Sequence, residues 1–294
     1  MIETELLRSF AAFAETRNFT RAARRLGLSQ PALFERVQKL ASHLGLTLYE
    51  RSGRDLVLTA DGTRVLAFAR DIDVRFQEFA SELEGRTTRD TVTLAAGEGS
   101  YLYLLGASIK AFAKESSAVL QLLTTGAKGT IDALRCGDAQ LGVAVLDLVP
   151  RGIDAVDLVR TPLCVAMAKT HPLAEKRGLT LGHLRRDRLI LTPDGQLHRD
   201  LVSRAFAARS SGDVPDPFLE ADGWPLMLKF VHLGLGIAIV NGICELPVGV
   251  VARPLPELGS VTYRLLRRRG AKLSNEAESL ARKIVDLKSS RGQR

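Results

Sequence analysis

Leu6, Phe10 and Phe13, with Leu7 and Ala14 beside them, recur at helical spacing and predict a first helix that ends near Arg17 and Asn18. Thr20 reads as the N-cap of a short second helix over 21–26, where Ala22 and Ala23 permit close packing and Gly27 stops the helix. Ser29 is the next N-cap, and Pro31 sits in the first turn, where a missing N–H costs nothing. The third helix then runs to about Leu44, buries Leu33, Val37 and Leu40, and ends at Gly45. From Leu48 to Thr59 the pattern shortens to two strands around a Ser52-Gly53 turn.

Residues 62–84 contain no Pro and no Gly after Gly62, and place Val65, Phe68, Ala69, Ile72, Phe76, Phe79 and Leu83 on one stripe. Such a helix is about 33 Å long at 1.5 Å per residue. One small domain does not cover it, so pairing with a second copy is the natural arrangement; packing on its own domain is the other reading. Gly85-Arg86-Thr87-Thr88-Arg89 follows as a hinge. Beyond it, short apolar runs at 91–96, 119–124, 142–146, 163–168, 188–191, 236–240, 248–253 and 261–268 predict strands. Helical segments at 101–114 and 130–135, one near His198, and a last one over 274–288 capped by Ser274 alternate with them. That alternation predicts a parallel sheet flanked by helices, an α/β domain.

The 294 residues suffice for two domains, and 46% apolar against 25% charged residues excludes disordered and fibrous classes. No apolar run reaches the roughly 20 residues of a membrane span, and the acidic start Met1-Ile2-Glu3-Thr4-Glu5 is unlike a secretion signal, so a cytoplasmic protein is expected. Cys136, Cys164 and Cys244 are too far apart for a Cys-x-x-Cys pair and read as small buried thiols. The net charge of +8 is uneven: residues 1–60 carry nine Lys/Arg against six Asp/Glu, and residues 264–294 ten against three. A basic head and tail fit an anionic partner. The tail run Arg264, Arg267, Arg268 and Arg269 reads by itself as a solvated strand and turn.

Helix, glycine turn and capped longer helix is the spacing of a helix-turn-helix. Its third helix would enter the major groove with Gln30, Ala32, Phe34, Glu35, Arg36 and Lys39 exposed. Gln can pair with adenine, Arg with guanine, and Ala or Phe can touch a thymine methyl. Glu35 can read a cytosine amine or pair with Arg36 or Lys39. Free N–H groups at Ser29 and Gln30 suit a phosphate. Arg51 and Arg54 flank the tip of the two-stranded wing, as phosphate or minor-groove contact requires. The run from Phe19 to Leu33, with Leu44-Gly45, Leu48-Tyr49-Glu50-Arg51 and Leu58-Thr59-Ala60-Asp61-Gly62, closely resembles the LysR-type transcriptional regulators. Phe34-Glu35-Arg36 and Ala41-Ser42-His43 depart from the family pattern, so no base-reading code is carried over. From the exposed positions and the resemblance together, the DNA-binding set is Thr20, Ser29, Gln30, Pro31, Ala32, Phe34, Glu35, Arg36, Lys39, Arg51 and Arg54.

The resemblance extends through Leu134-Arg135-Cys136-Gly137-Asp138, His171-Pro172-Leu173-Ala174 and Val231 to Ile239, with Gln140 and Asn241 in place of the usual Asp and Pro. It implies a winged helix-turn-helix over 1–60, a dimerising linker helix and hinge over 61–90, and an effector-binding domain over 91–294. The last would resemble the periplasmic binding proteins, with one lobe of 91–161 plus 265–294 and another of 162–264. Ligands of open α/β sheets bind beyond the carboxyl ends of the strands. Gly99 and Ser100, Thr125, Val145, and Thr192 with Pro193 converge there as the implied effector contacts; Ser100, Thr125 and Thr192 can equally cap their own helix or turn. His198 reads as exposed or structural, and Glu98, if it faces inward, would disfavour an anion. The implied protein is a sequence-specific regulator on a partly palindromic operator, a homodimer or homotetramer, modulated by a small molecule and needing no cofactor. No phosphate-binding or dinucleotide loop, Gly-x-Ser-x-Gly elbow or metal-spaced histidines point to an enzyme. A plain solute-binding protein would lack the N-terminal head.

Overall fold

The computed structural model describes residues 3–53, 55–83, 90–208 and 216–286. Helix α1 (Thr4–Thr16) turns Leu6, Leu7, Phe10 and Phe13 inward and ends at Arg17, whose φ of 50° is the left-handed value of a C-cap. Asn18 follows with extended backbone, and its side chain accepts from the Arg21 N–H at 3.0 Å. Helix α2 (Phe19–Leu26) therefore starts two residues earlier than expected. Thr20 lies exposed inside its first turn and is not the cap. The correction has a simple cause: a left-handed Arg17 reverses the chain in one step, which leaves Asn18 as the flanking residue with a free carboxamide. Asn18→Ala is expected to lower unfolding free energy by about 1 kcal/mol, read from urea denaturation, whereas Thr20→Ala should cost little.

Gly27 closes α2, and the Ser29 hydroxyl accepts from the Ala32 N–H at 3.3 Å to open α3 (Gln30–Leu44), with Pro31 in its first turn. Strands β1 (Tyr49–Ser52) and β2 (Asp55–Leu58) pair antiparallel. Phe10, Phe13, Ala22, Leu33, Val37, Leu40 and Leu48 form the buried core of this head. Rings carry that core to the surface: Phe13 stacks on Phe19 at 4.1 Å, and Phe34 meets Phe19 edge-on at 5.3 Å.

Helix α4 (Ala60–Leu83) divides the expected stripe. Val65, Ala69 and Ile72, joined by Leu66, pack against the head, while Phe68 and Phe76 remain more than half exposed. The division follows from α1, which packs on α4 and takes the face it covers; Arg8 sits over the Phe76 ring at 5.7 Å. The side chains of Phe79 and Leu83 and the hinge expected at 85–89 lie outside the described part.

The rest of the chain runs β3 (Thr91–Ala96), α5 (Glu98–Ser100), a π turn at Tyr101–Leu105, α6 (Gly106–Glu115), β4 (Val119–Thr124), α7 (Ala127–Cys136), β5 (Leu141–Val145) and β6 (Ile153–Ala168). It continues through α8 (Leu181–Leu184), β7 (Leu189–Leu191), α9 (Leu197–Ala207), β8 (Leu219–Glu220), α10 (Trp224–His232), β9 (Ile237–Asn241) and β10 (Val250–Pro254). After a 3₁₀ turn come β11 (Ser260–Arg268) and α11 (Asn275–Val285), the latter capped by the Ser274 hydroxyl, which accepts from the Ala277 N–H. Residues 287 and 288, expected in that helix, are outside the described part.

The strands order as β4-β3-β5-β11-β6-β9-β7-β8, with β10 also on β6. Two parallel groups emerge, β4-β3-β5 and β9-β7-β8. Antiparallel β6 and β11 run between them, with a register shift at Tyr263/Arg264. The strand expected at 163–168 is thus only the second part of a 16-residue strand that serves both groups. Of the arginines at the end of β11, Arg267 and Arg269 are solvated as read above, each paired with Asp154, whereas half-buried Arg264 and Arg268 are held by Asp157 and by Asp71 of α4. Arg70 of α4 joins the head to this domain, with Nη1 2.5 Å from Asp138 and Nη2 3.5 Å from Glu15.

Candidate DNA interface and effector cleft

Helix α3 presents Ser29, Gln30, Pro31, Phe34, Glu35 and Lys39 to solvent, with Ala32 and Arg36 half-buried. Capping by Ser29 satisfies Ala32 and leaves the first-turn N–H of Gln30 outward, at the positive end of a 15-residue helix. The basic side chains do not pair with Glu35. Arg36 Nη2 lies 3.4 Å from Glu5, and Lys39 Nζ 2.9 Å from Glu3. The acids at the start of α1 reach across to them, and the Lys39 ammonium lowers the Glu3 pKa. Phe34 is a surface ring of the aromatic cluster, still 41% exposed. Arg51 is exposed on β1, one residue before the wing turn; Arg54 lies outside the described residues.

Among the expected effector contacts, Ser100 and Thr192 are buried, whereas Thr125, Val145 and Pro193 are half-buried. Gly99 explains itself by contact: a Cβ there would stand 2.5 Å from Cδ1 of Trp224. The indole of α10 thus rests on the backbone of α5, across the two parallel groups of the sheet. Its other side meets the His198 imidazole edge-on at 4.4 Å. His198 Nδ1 lies 3.4 Å from Thr192 Oγ1. Asn241 donates to the Tyr263 hydroxyl, and the Trp224 side chain lies near that hydroxyl. Gly99, Trp224, His198 and Thr192 therefore make one chain of contacts, with the Asn241–Tyr263 pair beside Trp224 and Ser100 buried next to Gly99. Thr125, just before α7, has its hydroxyl over the Gly129 backbone and its carbonyl oxygen beside Gly97.

Burial dominates the electrostatics. It pushes Tyr263 up to about 12 and His198 down to about 3, so the first keeps its proton and the second stays neutral. His198 is buried, not exposed. Glu98 is exposed, with its carboxylate against Gly223, the residue before Trp224. Of the thiols only Cys164 is buried, with Cys136 and Cys244 half-buried; desolvation raises Cys136 and Cys164 and takes Cys244 to about 12.

Trp224, Tyr263 and Asn241 are the contributors that patterning did not single out as contacts. The chain's one tryptophan, directly after Asp222-Gly223, was the available signal. Gly223 has a φ of 94°, which aims the first turn of α10 at α5.

Residues 4–63 match the family model described as bacterial regulatory helix-turn-helix protein, lysR family. Residues 85–287 match the LysR substrate binding domain. The chain belongs to the LysR family. It is a DNA-binding transcription regulator with an effector-binding domain. This regulator is 28% identical to YbhD of Escherichia coli, an HTH-type transcriptional regulator, over 97% of the chain and 92% of that protein. It is 28% identical to the RuBisCO operon transcriptional regulator of Allochromatium vinosum, over 80% and 78%. In fold it resembles full-length LysG of Corynebacterium glutamicum, solved with its effector arginine bound, at a TM-score of 0.71, 18% identity and 98% coverage of both chains. No helix among the described residues is long and apolar enough to cross a membrane.

Proposed function

We propose that residues 1–60 read a partly palindromic operator and that residues 61–90 pair two copies. Residues 91–294 would sense a small molecule between lobes 91–161 plus 265–294 and 162–264. The division at 161/162 and 264/265 is supported by β6 and β11, the strands common to both parallel groups, which exchange partners there. Phe68 and Phe76, exposed on a helix whose other face is already used, support a homodimer that doubles to a homotetramer. The reading is of a cytoplasmic regulator and not an enzyme, in keeping with the regulatory relatives.

In the head, Ser29 and Gln30 hold a phosphate, and Pro31, Ala32, Phe34 and Glu35 face base edges. Arg36 and Lys39 leave Glu5 and Glu3 for the DNA, and Arg51 and Arg54 contact the backbone from the wing. Thr20 adds a backbone contact from α2. The observation that carries this is the capped α3 N-terminus opening onto solvent. In the cleft, Gly99, Ser100, Thr125, Val145, Thr192 and Pro193 surround the effector, which acts by binding one lobe arrangement better than another.

The test is binding to the DNA upstream of the protein's own gene as a function of salt. Arg51→Ala is expected to weaken binding to all sequences alike and to lower the salt slope by about one. Gln30→Ala is expected to lose about 1–3 kcal/mol of sequence discrimination with the slope unchanged. Equal salt slopes for the parent and the Arg51 variant would refute the wing contact.

A further inference from the structure

We propose that the effector is a small organic carboxylate, held at the N-terminus of α9 by Arg199 and His198. The inference rests on the reading of an effector between the lobes and names its chemistry.

Two side chains in one helical turn are buried with unused hydrogen-bonding capacity. Arg199 is 8% exposed, and its Nη1 has no hydrogen-bond partner among the described residues. His198 is equally buried, and its Nε2 has none either. An orphan buried donor costs free energy, and a guanidinium costs more than a neutral group, so such atoms point to a ligand. Both lie at the positive end of the 11-residue α9, where the N-cap Gln196 gives no side-chain hydrogen bond to the free first-turn N–H groups.

Direction is set by their partners. Arg199 Nε lies 3.1 Å from the exposed Asp194, which precedes the helix, so the guanidinium folds back toward the N-terminal loop. Side chains of a helix lean that way in any case. His198 faces Thr192 on one side and Trp224 on the other, and Trp224 spans to Gly99. The loop 192–196, the helix end and the interlobe contacts are therefore one place.

The chemistry selects the ligand. Guanidinium, helix dipole and free N–H groups all favour an oxyanion. A neutral imidazole serves it when the Thr192 hydroxyl donates to Nδ1, which leaves Nε2–H to donate to a carboxylate oxygen. The indole supplies an apolar wall for the organic part. Asp194 supplies the competing charge: it neutralises part of Arg199 until the ligand arrives. The carboxylates near this end are exposed: Asp194 lies on Arg199, and Glu98 lies against Gly223.

The test uses the full-length protein and Trp224, its one tryptophan, as the reporter. Two shape-matched series are titrated to about tenfold above typical metabolite levels: succinate, succinamide and 1,4-diaminobutane; and 3-phenylpropionate, its amide and 3-phenylpropylamine. Inorganic phosphate is a further arm. At least one carboxylate is expected to shift the emission saturably while its amide and amine do not. Arg199→Gln should weaken that binding by about tenfold or more. Asp194→Asn, an exposed change that does not threaten folding, should tighten it about threefold; a merely structural Arg199–Asp194 pair would leave affinity unchanged. An amide or amine that binds in preference, or phosphate alone, would overturn the carboxylate and leave the cleft in place. No response from any probe would overturn both.

Discussion

Gly62→Ala is expected to abolish operator binding and to destabilise the N-terminal head by about 3 kcal/mol or more. A Cβ at Gly62 would stand 1.8 Å from the Leu48 carbonyl oxygen and 2.8 Å from its carbonyl carbon. Both atoms are backbone, and neither is free to yield. The same oxygen accepts from the Thr59 N–H, while the Thr59 hydroxyl donates to Thr47 O at 2.6 Å and accepts from Gly62 N–H at 2.9 Å. Leu48 itself is sealed in the head core. These bonds seat the first turn of α4 beneath the wing, so the added methyl separates linker from wing and moves Arg51 with it. Gly182→Ala is the control, since its new Cβ would meet nothing closer than 3.7 Å, at the Thr180 hydroxyl. Alanine there should be neutral or stabilise by up to about 1 kcal/mol, because helix interiors favour it. Urea unfolding and operator binding of both variants settle the matter: equal losses would mean that close approach at Gly62 is not the cause.

The head was legible almost residue by residue because its signals are local. Ser29, Gly27 and Gly45 cap or stop helices by chemistry that needs no tertiary partner. Thr20 misled because two good capping residues lie two positions apart. What chose Asn18 was the left-handed Arg17 before it, which no periodicity reveals. The stripe on α4 was legible as apolar but not as divided, since only the position of α1 decides which apolar side chains are covered. Likewise the basic run at the end of β11 carries its charge in plain view, but its carboxylate partners, Asp71, Asp154 and Asp157, all lie more than a hundred residues away.

The cleft was legible by position and not by content. Strand ends mark where a ligand belongs, and Gly99 and Thr192 are linked there through Trp224 and His198. The helix expected at 101–114 hid its most unusual turn, the π turn at Tyr101–Leu105, where Tyr101 donates to Leu94 O at 2.6 Å. α10 escaped notice because its apolar run, Met227, Leu228 and Val231, is nearly continuous with that of β9, and only Gly234 separates helix from strand approach. With α10 went Trp224, and with Trp224 the burial of His198.

That burial has a measurable consequence in acid. Below pH 6.5 the folded protein is expected to lose about 1.4 kcal/mol of stability per pH unit through His198 alone. Its pKa falls to about 3 in the folded protein, through burial, from an ordinary value of 6.5. Between those values the unfolded chain binds a proton that the folded one refuses, so acid favours unfolding. Above pH 6.5 both states are neutral and the contribution is constant; it is lost as pH falls toward 3. From pH 7.5 to 5.0 the loss amounts to about 2 kcal/mol. Urea unfolding of the parent and of His198→Gln across that range measures it, and the other four histidines are common to both, so the difference isolates this one. The variant should show the shallower slope, and identical slopes would sink the assignment. Trp224 gives a second view of the same event. A buried imidazolium lacks the hydration it would have in water, so protonation favours opening of the His198–Trp224 contact, and emission should move to longer wavelength before global unfolding in the parent and not in the variant. Stability and the interlobe contact would then be two readings of one proton.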